Sequence, residues 1–204
     1  MKGRRAMLLV GPTGSGKTPL GDLLEARGLG PMRCIHFDFG CELRKVSALA
    51  SPDDIFTRED IEFIRGVLRT GAFLEDEHFM LARKMIESFL AAKNVGGCDL
   101  VVLNGLPRHA SQAIDMDRLF EIERVIVLDC SPEVVRERIC TNTGGDRAER
   151  VDDAPDAVRK RLELFSRRTV PLLNHYRRAG ASIKTLRVGA STTAEELLAA
   201  LERA

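Results

Sequence analysis

Gly11-Pro12-Thr13-Gly14-Ser15-Gly16-Lys17-Thr18 satisfies G-x-x-x-x-G-K-[ST] at each fixed position. Its flanks matter as much as its spelling. Ala6-Met7-Leu8-Leu9-Val10, just before it, is a short apolar run with the pattern of a buried strand. After it, Leu20, Leu23 and Leu24 share one helical face with the stem of Arg27. Pro19 is tolerated there because a first-turn residue has no helical partner for its N–H. The order is strand, glycine-rich turn, helix. In such a turn the glycines let backbone N–H groups close around phosphate oxygens without Cβ clashes. The helix N-terminus adds its partial positive charge. The stretch therefore predicts an ATP site: Gly11, Thr13, Gly14, Ser15 and Gly16 form the cradle, Lys17 reaches the β- and γ-phosphates, and the Thr18 hydroxyl ligates Mg²⁺.

The chain is long enough, at 204 residues, for one α/β domain with a substantial core. Lys and Arg number 31 against 30 Asp and Glu, a net charge of +1, which argues against a polybasic nucleic-acid or membrane binder. Partners are expected to be small nucleotides, and the protein a monomer. Cys34, Cys41, Cys98, Cys130 and Cys140 form no C-x-x-C pair, so a structural zinc site is not expected and a reducing compartment is. The apolar run after Met1-Lys2-Gly3-Arg4-Arg5 is too short for a signal peptide, and no stretch approaches transmembrane length. A cytoplasmic protein is the expectation.

Four further apolar runs read as strands: Cys34-Ile35-His36-Phe37, Leu100-Val101-Val102-Leu103, Val125-Ile126-Val127-Leu128 and Ile183-Lys184-Thr185-Leu186. The middle two are almost continuously apolar, as in strands covered on both faces. His36 alternates into its strand as a core or sheet-edge residue. Helical patterns separate the strands. Ser131-Pro132-Glu133 is an N-cap, first-turn proline and acidic residue opening a helix through Ile139. Val158, Leu162, Phe165, Thr169, Leu172, Leu173 and Tyr176 line one side of a long helix with a kink expected at Pro171. Thr192 and Glu195 can make a capping box for the last helix. The alternation predicts an α/β fold with a doubly wound, parallel, five-stranded sheet. Two regions stand outside it. Residues 41–93 hold about three helical segments, and the polar tract within 140–153 reads as a short lid loop. One domain is expected, with its core in 1–40, 94–139 and 154–204, a helical substrate-binding insertion at 41–93 and the lid at 140–153.

Further motifs lie outside the glycine-rich turn. Asn104-Gly105-Leu106-Pro107-Arg108 with Gln112-Ala113 is similar to D-G-F-P-R-x-x-x-Q-A. Gly40-Cys41-Glu42-Leu43-Arg44 is similar to G-D-x-L-R. Arg150-Val151-Asp152-Asp153 with Arg161, and Thr169-Val170-Pro171-Leu172, follow as R-x-D-D, the K-R-L pair and T-x-P-L do. In this order and spacing, over nearly the whole length, the chain resembles the adenylate kinase family of nucleoside monophosphate kinases. The resemblance implies transfer of the ATP γ-phosphoryl group to a nucleoside monophosphate. It also implies catalytic roles for Lys17, Arg108, Arg150 and Arg161. Arg44 and Arg108 would hold the acceptor phosphate, with Asp38, Phe39, Gly40, Gly105 and Gln112 completing that side. The chemistry needs such arginines: guanidinium forks pair with phosphate oxygens and stay charged while the group is in flight.

The chain departs from the family pattern at four places. Asn104 replaces a strand-end Asp that holds a water on Mg²⁺, so weaker metal binding is expected. The lid is short, with Asn142 in place of an arginine near the donor base. Phe39 stands for a small threonine, and Asp38 for a serine. The acceptor stays open between AMP, another nucleoside monophosphate and a small alcohol. Asp38 just after strand two is where shikimate-type hydroxyl kinases place a substrate anchor or base. A nucleotide-binding protein with little catalysis is a third reading, favoured by Asn104 and the trimmed lid and opposed by the surviving cations. The spelling of the turn is also similar to that of tRNA prenyltransferases, whose other motifs the sequence lacks.

Overall fold

The strands pair side by side in the order β2-β3-β1-β4-β5, all parallel. The computed structural model describes residues 3–70, 78–146 and 155–203. Along the chain come β1 (Arg4–Val10), α1 (Lys17–Arg27), β2 (Cys34–Asp38), α2 (Phe39–Ser47), α3 (Arg58–Thr70) and α4 (Phe79–Ala92). Then follow β3 (Leu100–Asn104), α5 (Ala110–Met116), β4 (Phe120–Asp129), α6 (Pro132–Thr141), α7 (Pro155–Arg178), β5 (Ser182–Arg187) and α8 (Ala194–Glu202). This is the five-stranded, doubly wound architecture expected from the alternation. The three helical segments of the 41–93 region are α2, α3 and α4.

Strand parity divides the core. Along β1, Ala6, Leu8 and Val10 face one side, with Ile35 and Phe37 of β2 and Val101 and Leu103 of β3. Ile61, Ile64 and Val67 of α3, the α4 row including Ala82, Met85 and Ile86, and Leu172 and Tyr176 of α7 cover that face. On the other side, Met7, Leu9, Leu100 and Val102 pack under Leu20 and Leu24 of α1 and Leu197, Leu198 and Leu201 of α8. The helices α2 to α4 therefore lie on the main core, not beside it.

Local details differ from the sequence reading in two ways. β4 begins at Phe120, five residues before the expected apolar run. There Phe120 and Ile122 are buried while Glu121 is exposed, and a register shift at Ala6/Met7 lets Arg5 reach Glu123 at 2.6 Å. The capping box of α8 is built by Thr193 and Glu196, not by Thr192 and Glu195. Thr192 is already committed, its Oγ1 accepting from the Gly189 N–H at 2.8 Å. Helix α7 carries Pro171 inside its span, and the Thr169 hydroxyl donates to the Phe165 carbonyl at 2.6 Å. Ser131 caps α6 as expected, accepting from Val134 N–H.

Candidate active site

The carboxyl ends of β1, β2 and β3 meet above α1. In an open parallel sheet this edge is where ligands bind. The loop after β1 turns through Gly14 at φ 78° and Gly16 at φ 94°, left-handed conformations that glycine adopts without strain. A Cβ on Gly16 would also come within 3.1 Å of the Arg138 guanidinium. Gly16 caps α1 with no side-chain hydrogen bond, and no acidic residue stands in the first turn. With glycine at the cap and no carboxylate in the first turn, this end of α1 suits phosphate oxygens. Lys17, the first residue of α1, folds back so that Nζ donates to the carbonyls of Gly11 and Pro12, each at 2.7 Å.

Directly beneath lies a polar cluster that the strand register creates. Cys34, His36 and Asp38 alternate onto the α1 side of β2, opposite Leu100, Val102 and Asn104 of β3. Asp38 and Asn104 are register partners at the strand ends. Asn104 Nδ2 donates to Asp38 Oδ2 at 2.8 Å and to Thr18 Oγ1 at 3.1 Å, and the Thr18 hydroxyl donates to Asp38 Oδ2 at 2.6 Å. Asp38 Oδ1 accepts from Cys41 N–H at 2.8 Å and so caps α2. Burial works against the Asp38 charge, but Thr18, the Cys41 N–H and the His36 and Arg44 charges outweigh it and hold its pKa below the usual Asp value. His36 Nδ1 lies 2.9 Å from Asp22 Oδ1, and its Nε2 lies 3.5 Å from Asn104 Nδ2. A carboxylate oxygen accepts, so Nδ1 donates to Asp22, and the other ring nitrogen faces the Asn104 amide.

These oxygens fit a hard divalent cation. Thr18 Oγ1 and the Asp38 carboxylate stand together at the foot of the phosphate cradle. Among the described residues no group of three or more His, Cys, Asp or Glu could form a closed cage. A site of one hydroxyl and one nearby carboxylate suits Mg²⁺, which keeps several waters and binds chiefly through substrate phosphates.

One cleft joins this cradle to the residues that the family resemblance assigns to the acceptor. It is lined by Gly11, Thr13, Gly14, Gly16, Lys17 and Thr18, and across from them by Asp38, Phe39, Gly40, Arg44, Gly105, Arg108 and Arg161. The fold thus gathers cations from α1, α2, the β3–α5 loop and α7. Arg108 is fixed by its own loop: Nε donates to the Gly105 carbonyl at 2.8 Å. Gly105 has φ 92°, and a Cβ there would approach that of Phe39 to 3.3 Å. Phe39 is 1% exposed and packs into the core beside Phe37, with one edge of the residue on the cleft wall. Ser15 lies buried behind the cradle, and Gln112, 1% exposed, lies behind the acceptor loop, its Oε1 accepting from the Arg108 N–H at 2.9 Å. Arg150 lies outside the described residues.

Two arginines go beyond those read from the sequence. Arg168 lines the cleft two turns along the same face of α7 from Arg161. Arg138 of α6 is 3% exposed and ties the cradle down. Its Nε donates to the Gly14 carbonyl at 3.0 Å, and Nη1 donates to the carbonyls of Gly189 and Thr192 at 2.9 and 2.8 Å. The one trace of Arg138 in the sequence is its place three residues after Val135, which puts it on the buried side of α6 without naming its partners.

No protein-family model matches the sequence. Curated relatives do. The chain is 31% identical to the adenylate kinase of Xanthomonas campestris pv. campestris (strain B100) over 198 residues, 94% of each protein. It is 30% identical to that of Xanthomonas euvesicatoria pv. vesicatoria (strain 85-10), covering 97% of each. With the adenylate kinase of Xylella fastidiosa (strain M23) it shares 30% identity over 90% of this chain and 91% of that one. A likeness that runs end to end, on a parallel sheet with its glycine-rich loop and Arg44, Arg108 and Arg161 in one cleft, means that this chain belongs to the adenylate kinase family.

Proposed function

We propose that the protein transfers the γ-phosphoryl group of ATP to a nucleoside monophosphate. The observation that carries this reading is the cleft itself, which sets Lys17 and Thr18 on one side and Arg44, Arg108 and Arg161 on the other. Two anions that repel each other must be brought together, and fixed cations offset that repulsion and the charge that develops in transfer. In this scheme Lys17 leaves the Gly11 and Pro12 carbonyls for the β- and γ-phosphates. Arg108, already oriented by Gly105, receives the acceptor phosphate with Arg44. Arg161 faces the group in flight from α7; the family resemblance gives Arg150, which lies outside the described residues, the same task. Gln112 and Phe39 bear on the acceptor base through the loop and wall they support. Mg²⁺, bound beside Thr18, would neutralise the phosphate oxygens. Asp38 speaks against an alcohol acceptor: both of its oxygens are engaged, one by α2 and the other by Thr18 and Asn104. The five free cysteines suit a reducing compartment, and we place the activity in the cytoplasm.

The test is ADP release from ATP and Mg²⁺ with each nucleoside monophosphate and with a set of small alcohols. Turnover with one or more monophosphates and none with alcohols is expected, and Lys17→Ala should abolish it. Turnover confined to an alcohol would overturn the reading.

A further inference from the structure

The strand register assigns a carboxylate to the metal side of this site from an unexpected strand. We propose that Asp38, at the tip of β2, is the residue that positions the divalent cation through Thr18 and the cation's water shell, in place of the neutral Asn104 at the tip of β3. The inference rests on the ATP reading above.

Three observations lead to it. First, Asp38 and Asn104 are register partners, so their side chains leave the sheet at one level and on one face. Second, that face looks at Thr18, whose hydroxyl proton is held by Asp38 Oδ2 at 2.6 Å. With its proton fixed there and one lone pair taken by Asn104 Nδ2 at 3.1 Å, the Thr18 oxygen has a lone pair left for a cation. Third, the carboxylate cannot swing to another task, because Oδ1 is held by the Cys41 N–H at the start of α2. Asn104 is held in turn. Asp38 Oδ2 can only accept, so the amide must present Nδ2 toward it. The amide donates to the carboxylate and leaves the negative charge on Asp38. Moving that charge by one strand retains a carboxylate oxygen beside Thr18, where a Mg²⁺-bound water can donate to it.

The test compares wild type, Asp38→Asn and the exchanged pair Asp38→Asn with Asn104→Asp. Asparagine keeps the cap on α2, so the single variant is expected to fold. A nonhydrolysable ATP analogue is titrated first without metal, by calorimetry. All three proteins should bind it, the single variant no more weakly than wild type, since it has lost a negative charge near the phosphates. Mn²⁺ is then titrated into each protein–analogue complex and followed by electron paramagnetic resonance. Asp38→Asn should weaken Mn²⁺ by about 10–100-fold, the usual consequence of losing a partner that orients a metal's ligands. The exchanged pair should recover most of that loss. Equal Mn²⁺ affinity in wild type and Asp38→Asn would overturn the assignment. So would a loss that the exchange does not restore, because a carboxylate at the neighbouring strand tip would then not serve in the same role. If wild type fails to bind the metal-free analogue, the ATP reading falls and this inference falls with it.

Discussion

Gly21→Ala offers a sharp test of the packing under the phosphate loop. On an ordinary helix the change would stabilise by up to about 1 kcal/mol, because alanine loses less backbone entropy. Here the new Cβ would sit 2.2 Å from His36 Nε2, 2.4 Å from Cδ2 and 2.5 Å from Cε1. Ordinary contact is about 3.5–4 Å, so the ring must retreat by more than an ångström. It has little room: the His36 side chain is 3% exposed and is held by Asp22 at 2.9 Å. Overpacking costs about 1–3 kcal/mol and the disturbed hydrogen bond about another 1. After subtracting the helix gain, the net loss is about 2 kcal/mol, which in a chain of this size lowers Tm by about 4–8 °C. Thermal unfolding followed by circular dichroism reads this directly. The decisive arm is a double-mutant cycle. In a His36→Ala background the ring is gone, and Gly21→Ala should become neutral or stabilising. A destabilisation of equal size in both backgrounds would refute the argument, since the clash would not be with His36.

The other predictions concern the arginines and a thiol. Arg138→Met should cost at least about 3 kcal/mol by leaving several carbonyls without their charged donor, and should weaken ATP binding by loosening Gly14; unchanged urea unfolding and nucleotide affinity would contradict that. Arg108→Ala should weaken acceptor binding by about tenfold to a hundredfold, from the loss of about 1.5–3 kcal/mol, while ATP affinity measured by calorimetry stays near wild type. Burial pushes the Cys34 thiol up to about 11, so its reactive thiolate is scarce at pH 8 and grows only as pH rises toward that value. A thiol-exchange assay at pH 8 should label the exposed Cys98 and Cys140 quickly and Cys34 only after denaturation; rapid labelling of Cys34 in the native protein would show that its strand opens.

What the sequence discloses depends on how local the signal is. The phosphate loop is contiguous, and its strand and helix flanks are set by neighbouring residues, so Gly11 through Thr18 could be read directly. The family resemblance could point to the arginines at 44, 108 and 161 because each sits in a short patterned run, and the fold brings all three to one cleft. The Asp38–Asn104 pair could not. Their contact depends on the register of two strands separated by three helices, which no local pattern fixes. Parity alone gave a hint, since Cys34, His36 and Asp38 must share a face. Arg138 was hidden for a related reason: its acceptors are backbone carbonyls of distant loops, and carbonyls leave no trace in residue identity. The misplaced cap of α8 is a tie of another kind. Thr192 and Thr193 each have a glutamate three residues on, and only the Gly189 N–H, by occupying Thr192, breaks the tie.

The helices between β2 and β3 share the principal core with the sheet, and this limits how the family can diversify. Ile61, Ile64 and Val67 touch the same apolar layer as Val101 and Leu103. Their outward faces can drift with the acceptor, but their undersides are bound to the strands below. Grafting this segment from a relative at 31% identity would import a surface shaped for a different sheet. Acceptor preference in this protein should therefore change by residue-level drift along the cleft wall more readily than by exchange of the whole segment, and a successful graft would have to carry its matching strand residues with it.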